Sequence, residues 1–505
     1  MIRLESPTLA RLPDTFDERL LQAHLKYVDK KVDFEIKRLK NGAHWYVKDE
    51  ESQQDYDAKM AALKASRQKS LLFRDESGLW TYSGLAPKLA EKFSDGYEAD
   101  YTLPEPKLIP YANKPKHEAR HYQTAAADAL LATAGRGPRR VEIGTGLGKS
   151  TIIRMVLKQL GLKSIIMAPS TNIAEQLFDD LVHHFGKRYV GFFGGGKKQA
   201  DKLFTVGIDD SLTKVEKGSE HWKELSKAQV FIADESHLCP AETLQRVCFG
   251  LAAAAPYRFF FSATQVRNDG LELVLDGITG ETVYSMTVRE GVDEGYLARP
   301  HFRMVRTQSD EKSYSSDPNK LTRAHLYYNP RVNRAAAMLA NRFVGAMKKP
   351  TVILVEELEQ FTHLLPHLKH EVAFAHGPLT KDTKKLVPSQ FHDQKPSDLV
   401  EQFNAGKIPI LVGTSCISTG TDIRVVEATL YLQGKSSEVK VKQAVGRDTR
   451  GGSKGFVMNP WTNQQKVDCI HVDFDVVNVD TVHRHADIRA GFYDEIYGPV
   501  EYIDL

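Results

Sequence analysis

The sequence predicts an α/β protein in which two parallel-sheet domains follow a small α+β module. Three observations predict it. Apolar strand-like runs alternate with helical segments from Arg120, a second series of the same kind begins after about Asn329, and residues 1–112 follow neither pattern.

In residues 31–48, KVDFEIKRLKNGAHWYVK, Val32, Phe34 and Ile36 alternate with polar neighbours, and Asn41-Gly42 supplies the left-handed pair of a tight turn. A β-hairpin is expected there. A basic helical stretch from Tyr56 to about Lys69 and two alternating runs around Glu76-Ser77-Gly78 complete the module. Between Leu103 and His117, Pro104, Pro106, Pro110 and Pro115 forbid a continuing helix and mark a linker.

Beyond the linker, VEIG, SIIMAP, YVGFFG, VFIADE and RFFFSAT are the strand candidates of a first domain over residues 117–298. TVILVEE, VAFAHG, ILVGT and ATLYLQG are those of a second, over residues 299–505 with a polar lead-in at 299–328. Short apolar runs separated by helices are the pattern of a parallel sheet covered on both faces. No solenoid-type repeat is present.

The chain of 505 residues has 41% hydrophobic and 26% charged residues, the balance of a globular protein with cores of ordinary size. No run approaches a membrane span, and MIRLESPTLARLPD lacks the apolar core of a secretory signal, so a cytoplasmic protein is expected. Cys239, Cys248, Cys416 and Cys469 form no C-x-x-C pair, which argues against a zinc site or a disulfide framework. The net charge of +3 does not announce a nucleic-acid binder, so basic patches must be local.

Gly144-Thr145-Gly146-Leu147-Gly148-Lys149-Ser150 follows the strand RRVEI and precedes the helical TIIRMVLKQL. Glycines turn backbone N–H groups inward around phosphate oxygens, the helix start adds its positive end, and Lys149 reaches the β and γ phosphates of a nucleotide. Ser150 is then a magnesium ligand. The general phosphate-loop pattern asks for glycine where Ile143 stands. Further on, the apolar Val230-Phe231-Ile232-Ala233 ends in Asp234-Glu235-Ser236-His237. A carboxylate at the end of a buried parallel strand beside a phosphate loop holds magnesium, the role of Asp234, and the adjacent Glu235 orients the attacking water.

These residues, and others in the same order, resemble the superfamily 2 helicases. DESH is similar to that family's acidic motif. Arg120 and Gln123 in RHYQ resemble the segment that contacts adenine. Pro169, Ser170 and Gln176 in APSTNIAEQ, with Gly194, Gly195 and Gly196, are similar to strand-contacting segments, and Ser262-Ala263-Thr264 to the coupling motif. Gly413-Thr414 through Ser418-Thr419-Gly420-Thr421-Asp422, and Gln443 through Arg447 and Arg450, resemble the last two motifs. The resemblance covers roughly residues 117–475.

It implies two RecA-like motor domains, ATP and Mg2+ as cofactors, and Arg447 and Arg450 as arginine fingers on the γ-phosphate when the domains close. It also implies strand contacts by Pro169, Ser170, Gly194, Gly195, Thr414 and Thr419, and a link from the nucleotide to the nucleic acid through Gly420 and Asp422.

Ser262 to Asp269, SATQVRND, resembles the form in XPB-like and phage branch-migration helicases of the UvsW type, which act on DNA. That implies a monomeric DNA helicase or translocase acting on branched or partly single-stranded DNA, with residues 1–112 as an accessory DNA-binding domain. Ile208 departs from the pattern, where threonine is common. The lysine-bearing segment 378–396, between His376-Gly377 and the helix before Gly406, is longer than the family's and is either a nucleic-acid wedge or a solvated loop. An RNA helicase, a motor subunit of a restriction or repair complex, and a non-hydrolysing scaffold with a degenerate motor remain alternatives.

Overall fold

The computed structural model describes the chain apart from residues 44–46, 48, 94, 116, 240, 264–269, 313–314 and 419–421 and the side chains at 50, 51, 418 and 439. Its contacts divide the described chain into two compact units. One comprises Met1–Ile143 and Lys149–Ser285; the other comprises Gly144–Gly148 and Met286–Leu505.

The first unit begins with short strands β1 (Ile2–Leu4), β2 (Leu9–Arg11), β3 (Lys26–Val28), β4 (Gln68–Ser70), β5 (Phe73–Asp75), β6 (Gly78–Tyr82) and β7 (Tyr97–Ala99). Five of them form a mixed sheet in the order β5-β6-β2-β1-β7, and β3 pairs antiparallel with β4. The runs flanking Glu76-Ser77-Gly78 are the antiparallel pair β5 and β6, as their alternation predicts.

The described residues of the stretch 31–48, which leave out 44–46 and 48, do not form the expected hairpin. Residues Lys30–Asn41 form a helix, capped at its start by Asp29, whose carboxylate accepts the Lys31 N–H. Val32, Ile36 and Leu39 recur at helical spacing and pack with Tyr56, Met60 and Leu63 of the helix Glu50–Ser66. The alternation that suggested a strand is broken in space: Val32 and Ile36 are buried, but Phe34 is 69% exposed. Gly42 serves as the helix C-cap, its N–H donating to the Arg38 carbonyl at 3.0 Å, so Asn-Gly marks a helix end and not a turn between strands.

The eight-stranded sheet of this unit contains β8 (Arg139–Ile143), β9 (Ser164–Ala168), β10 (Val190–Gly194), β11 (Lys197–Lys198), β12 (Phe204–Ile208), β13 (Val230–Ala233), β14 (Tyr257–Ser262) and β15 (Glu281–Met286), in the order β11-β10-β12-β9-β13-β14-β8-β15; it is parallel from β10 to β8, and β11 pairs antiparallel with β10. β9, β10, β12, β13 and β14 are buried along their whole length, which is why they read as continuous apolar runs. The helix Lys149–Leu160 buries Ile152, Ile153, Val156, Leu157 and Leu160, a stripe at helical spacing.

The amino-terminal layer shares a core with this sheet, since Ile2, Leu4, Leu21 and Leu85 belong to one cluster with Ile165, Phe231, Phe260 and Leu275. Polar contacts tie it down as well: Gln245 donates to the Tyr82 hydroxyl at 2.9 Å and Arg139 to that of Tyr97 at 3.0 Å.

The second unit holds β16 (Arg299–Thr307), β17 (Thr351–Leu354), β18 (Val372–Ala375), β19 (Ile410–Gly413), β20 (Ala428–Tyr431), β21 (Asp468–Val476) and β22 (Glu501–Asp504). All its pairings are parallel, in the order β18-β19-β17-β20-β21-β16-β22. The stretch 299–328, expected to be a polar join, opens with the nine residues of β16, which pair with β21 along their whole length. The two parallel sheets and the small mixed sheet are the fold class the sequence predicts. Among the described residues, no helix is long and apolar enough to cross a membrane.

Candidate nucleotide site and arginine helix

The loop Gly144–Gly148 leads from β8 into the helix that starts at Lys149. Gly146 and Gly148 hold φ of +88° and +80°, a region costly for any residue with a Cβ, so the turn demands glycine at both positions. Leu147 between them is buried, and Ser150 in the first helical turn is exposed.

In the first unit, Lys149 Nζ lies 2.6 Å from Glu235 Oε1, with both side chains largely buried. Glu235 itself has φ of +47°, a strained conformation for a side chain of its size. Hydrogen bonds on either side hold it there. The Asp234 N–H donates to the Met167 carbonyl at 2.9 Å, and the Ser236 N–H to that of Phe261 at 3.0 Å.

Asp234 is buried at the end of β13, and its carboxylate accepts the Glu235 N–H at 2.9 Å. Burial, with Glu235 adding to it, pushes its pKa up to about 7 against the pull of Lys149. A carboxylate so poorly compensated by its surroundings is a group that could hold a hard divalent cation, and the exposed hydroxyl of Ser150 is a second oxygen donor that could serve. Lys149 and this donor set, within the first unit, are of the kind a magnesium–nucleotide complex needs.

Sequence reasoning passed over His237, and the structure gives it a connecting place. Its Nδ1 lies 2.6 Å from Ser262 Oγ at the end of β14 and 3.5 Å from Glu235 Oε2. Lys149, Glu235, His237 and Ser262 therefore form one chain of polar contacts, from the phosphate loop to the expected coupling motif. The signal was legible as the last letter of DESH, but its partner on another strand was not. Ala263 follows β14, while Thr264 and the segment Arg267 to Asp269 lie outside the described residues.

Arg120 and Gln123 sit at the start of the helix His121–Ala132, where Gln123 Oε1 accepts the Arg120 N–H at 3.0 Å. Pro169 and Ser170 follow β9, and Ser170 caps the helix Thr171–Phe185. Gly194 and Gly195 lie at the turn from β10 to β11. Ile208, the departure from the family pattern, is buried against Gly194.

In the second unit, Thr414 follows β19, and its N–H donates to the Ala375 carbonyl at 3.1 Å. Thr419 and Gly420 lie outside the described residues. The helix Glu438–Asp448 carries Gln443 and Arg447, whose Nη1 donates to the Gln443 carbonyl at 3.2 Å. Arg450 Nη1 donates to Asp422 Oδ1 at 2.5 Å and to the Ile423 carbonyl at 3.2 Å. Asp422 thus holds Arg450, and it also pairs with Arg424 at 3.3 Å. Burial lowers the pKa of Arg450, with Asp422 opposing the shift.

The same helix is anchored through Asp448. One of its oxygens accepts the Thr429 hydroxyl at 2.6 Å and the other lies 2.6 Å from His471 Nδ1. His471 continues to Tyr493 at 3.1 Å, Tyr493 donates to Asp473 at 2.8 Å, and Arg489 grips Asp473 at 2.6 and 2.9 Å. This buried network lets β21 hold His471 and Asp473 inside the unit, and removing one partner of such a pair costs about 3–5 kcal/mol.

Lys466, close to the arginine helix, is almost fully buried, and its Nζ lies 3.4 Å from the Arg424 carbonyl. Burial pulls its pKa down to about 8, with Cys469, Asp448 and Glu427 opposing. A lysine whose pKa is lower folded than unfolded costs stability below the folded value, and the cost fades as pH rises through it. At neutral pH it amounts to roughly 3 kcal/mol. Lys466→Met is expected to melt at a higher temperature at pH 7 and to lose the rise in stability between about pH 8 and 10.5; thermal melts from pH 7 through that range check both.

The segment 378–396 is two short turns, Thr383–Leu386 and Ser389–Phe391, and not one helix. Val387 and Phe391 are buried in the core of the second unit, and His376 Nε2 lies 2.9 Å from the Phe391 carbonyl. Lys381, Lys384, Lys385 and Lys395 stay exposed.

Comparisons with known proteins follow the same division. Residues 116–267 match the family described as "Type III restriction enzyme, res subunit", and residues 338–452 match the "Helicase conserved C-terminal domain". The chain is 21% identical over 369 residues to the DNA 3'-5' translocase XPB2 of Sulfurisphaera tokodaii, covering 68% of this chain and 80% of that protein. It is 22% identical over 422 residues to the ATP-dependent DNA helicase uvsW of Enterobacteria phage T4, covering 76% and 78%. In fold it is similar to S. cerevisiae Dbp5 bound to RNA and ADP BeF3, with a TM-score of 0.52 at 14% identity over 84% of this chain and 93% of that one. Two parallel-sheet units, a glycine turn and lysine with a strand-end acidic pair, an arginine helix, and two matched families in that order identify the chain as a member of the superfamily 2 helicases, ATP-dependent helicases or translocases of nucleic acid.

Proposed function

We propose that the protein is a DNA helicase or translocase that hydrolyses ATP with Mg2+ and opens or branch-migrates forked and junction DNA as a monomer in the cytoplasm. The observation that carries the reading is the polar chain from Lys149 through Glu235 and His237 to Ser262, which joins nucleotide-binding groups to the strand end expected to couple them to movement. DNA as substrate is supported by similarity to proteins named as a DNA translocase and a DNA helicase.

In this reading residues 117–298 and 299–505 are the motor halves and 1–112 an accessory DNA-binding region. Lys149, Ser150 and Asp234 hold the nucleotide and its metal, Glu235 orients water, and Gln443, Arg447 and Arg450 act on the γ-phosphate. Arg120 and Gln123 take the adenine. Pro169, Ser170, Gly194, Gly195, Thr414 and Thr419 contact the strand through its backbone, which needs no base readout. Branch migration is energetically accessible because each pair broken, about 1.4 kcal/mol of stacking, is offset by one formed. In the same reading the exposed lysines of 378–396 touch phosphates near the separating strands, the alternative being a solvated loop.

A panel of forks, four-way junctions, linear DNA duplexes and RNA duplexes tests the reading. Forks and junctions are expected to be processed fastest. Faster unwinding of RNA than of any DNA substrate would replace DNA with RNA, in line with the similarity to a protein named as an ATP-dependent RNA helicase, DBP3, of Eremothecium gossypii.

A further inference from the structure

Phe34 stands on the solvent side of the helix Lys30–Asn41, 69% exposed, while Val32, Ile36 and Leu39 on the opposite side pack against the helix Glu50–Ser66. On a helix the neighbours of a side chain lie three and four positions away. For Phe34 these are Lys30, Lys31, Lys37 and Arg38, all four basic and all four exposed.

Of the nearby acids, Asp29 and Asp33 are engaged by other cations, and the exposed Glu35 lies on the same helix within four positions of Lys31 and Arg38, one acid among four cations. Asp33 is held by Arg67 at 2.5 Å and Asp29 by Lys69 at 2.9 Å, contacts that close the base of the helix pair. Among the described residues, none of the four cations around Phe34 forms an ion pair. An aromatic ring left in water among four exposed cations that outnumber the acids beside them suits a polyanion that also offers a flat apolar face. A polynucleotide does so wherever its bases are unpaired or a duplex ends, because phosphates meet the cations and a base stacks on the ring.

The helix is also tied to the motor. It follows β3, and a Cβ on Gly270 would fall 2.2 Å from the Val28 carbonyl oxygen and 3.1 Å from Lys30 Cγ. Gly270 has φ of +78°, so both its conformation and this close approach require glycine. The base of the helix therefore abuts the chain a few residues beyond Ser262, the end of the polar chain from Lys149.

We infer that the outer face of Lys30–Asn41 is a docking surface for the junction between duplex and single strand, with Phe34 stacking on the terminal base or base pair and Lys30, Lys31, Lys37 and Arg38 on the flanking phosphates. The inference rests on the helicase reading and assigns it a residue-level contact outside the motor motifs.

Binding of the full-length protein to forked, blunt and single-stranded oligonucleotides, measured by fluorescence anisotropy over a salt series, tests it, with a fluorescent base analogue at the fork. Phe34→Ala is expected to weaken fork binding about tenfold and to abolish quenching of the analogue, and Phe34→Trp to restore both. Replacing Lys37 and Arg38 together by glutamine is expected to reduce the slope of log affinity against log salt by about 1.5. Because Phe34 is exposed, none of these changes removes core packing, and a melting curve checks that each variant folds.

Fork binding and quenching unchanged in Phe34→Ala would overturn the inference, as would equal losses on all three substrates with an unchanged salt slope in the double variant. The helicase reading fails separately, if the unaltered protein shows no polynucleotide-stimulated ATP hydrolysis; fork binding then still decides the role of Phe34.

Discussion

Lys149→Ala is expected to reduce ATP hydrolysis by about 10²–10³-fold or more, the usual loss when a fixed charge aimed at developing negative charge is removed. The expectation follows from what Lys149 touches. It begins its helix, lies 2.6 Å from Glu235, and is the cation that opposes the rise in the pKa of Asp234. Without it both carboxylates lose their counter-charge, and the Asp234 carboxyl moves further above its ordinary range. The fold should survive, because Ile152, Ile153, Val156 and Leu157 of the same helix remain in the core. Nucleic-acid binding should survive too. Near-normal stimulated turnover in this variant would mean that the glycine turn does not hold the nucleotide.

Arg450→Ala is expected to lower turnover about 10³-fold while leaving nucleotide affinity within a few-fold, because a group that acts chiefly on the transition state contributes to rate and little to ground-state binding. The structure shows how the residue is kept ready. Asp422 and the Ile423 carbonyl hold its guanidinium, and Asp448 anchors the end of the preceding helix through Thr429 and His471. Equilibrium nucleotide titration beside a hydrolysis assay checks the split. Parallel losses of affinity and rate would place Arg450 in ground-state binding.

The parallel sheets were legible because burial on both faces writes itself as apolar runs, as in SIIMA of β9 and VFIA of β13. Residues 31–48 were misread because Val32, Phe34 and Ile36 alternate as in a strand, and only three dimensions show that Phe34 faces water while the other two face Met60. β21 was passed over for the opposite reason. His471, Asp473 and Asp475 look like surface residues, and they are buried because Asp448, Tyr493, Arg489 and His483 answer them from distant positions.

The site divides in the same way. The glycine turn, Lys149, Asp234 and Glu235 could be read from spacing, since their chemistry demands a local order of residues. His237 needed Ser262, and Lys466 needed its burial, both of which depend on folding. The partner of Arg450 shows the same limit: that Asp422 pairs with the arginine follows only from the folded chain.

Nucleotide hydrolysis at Lys149 that answers to nucleic acid is what a motor of this family requires. The steady-state rate of ATP hydrolysis by the full-length protein, with and without a single-stranded oligonucleotide, tests it most directly, with Lys149→Ala as the blank. The account predicts magnesium-dependent hydrolysis that rises at least several-fold with the oligonucleotide and disappears in the variant. A rate that ignores the oligonucleotide, or persists in Lys149→Ala, would contradict it.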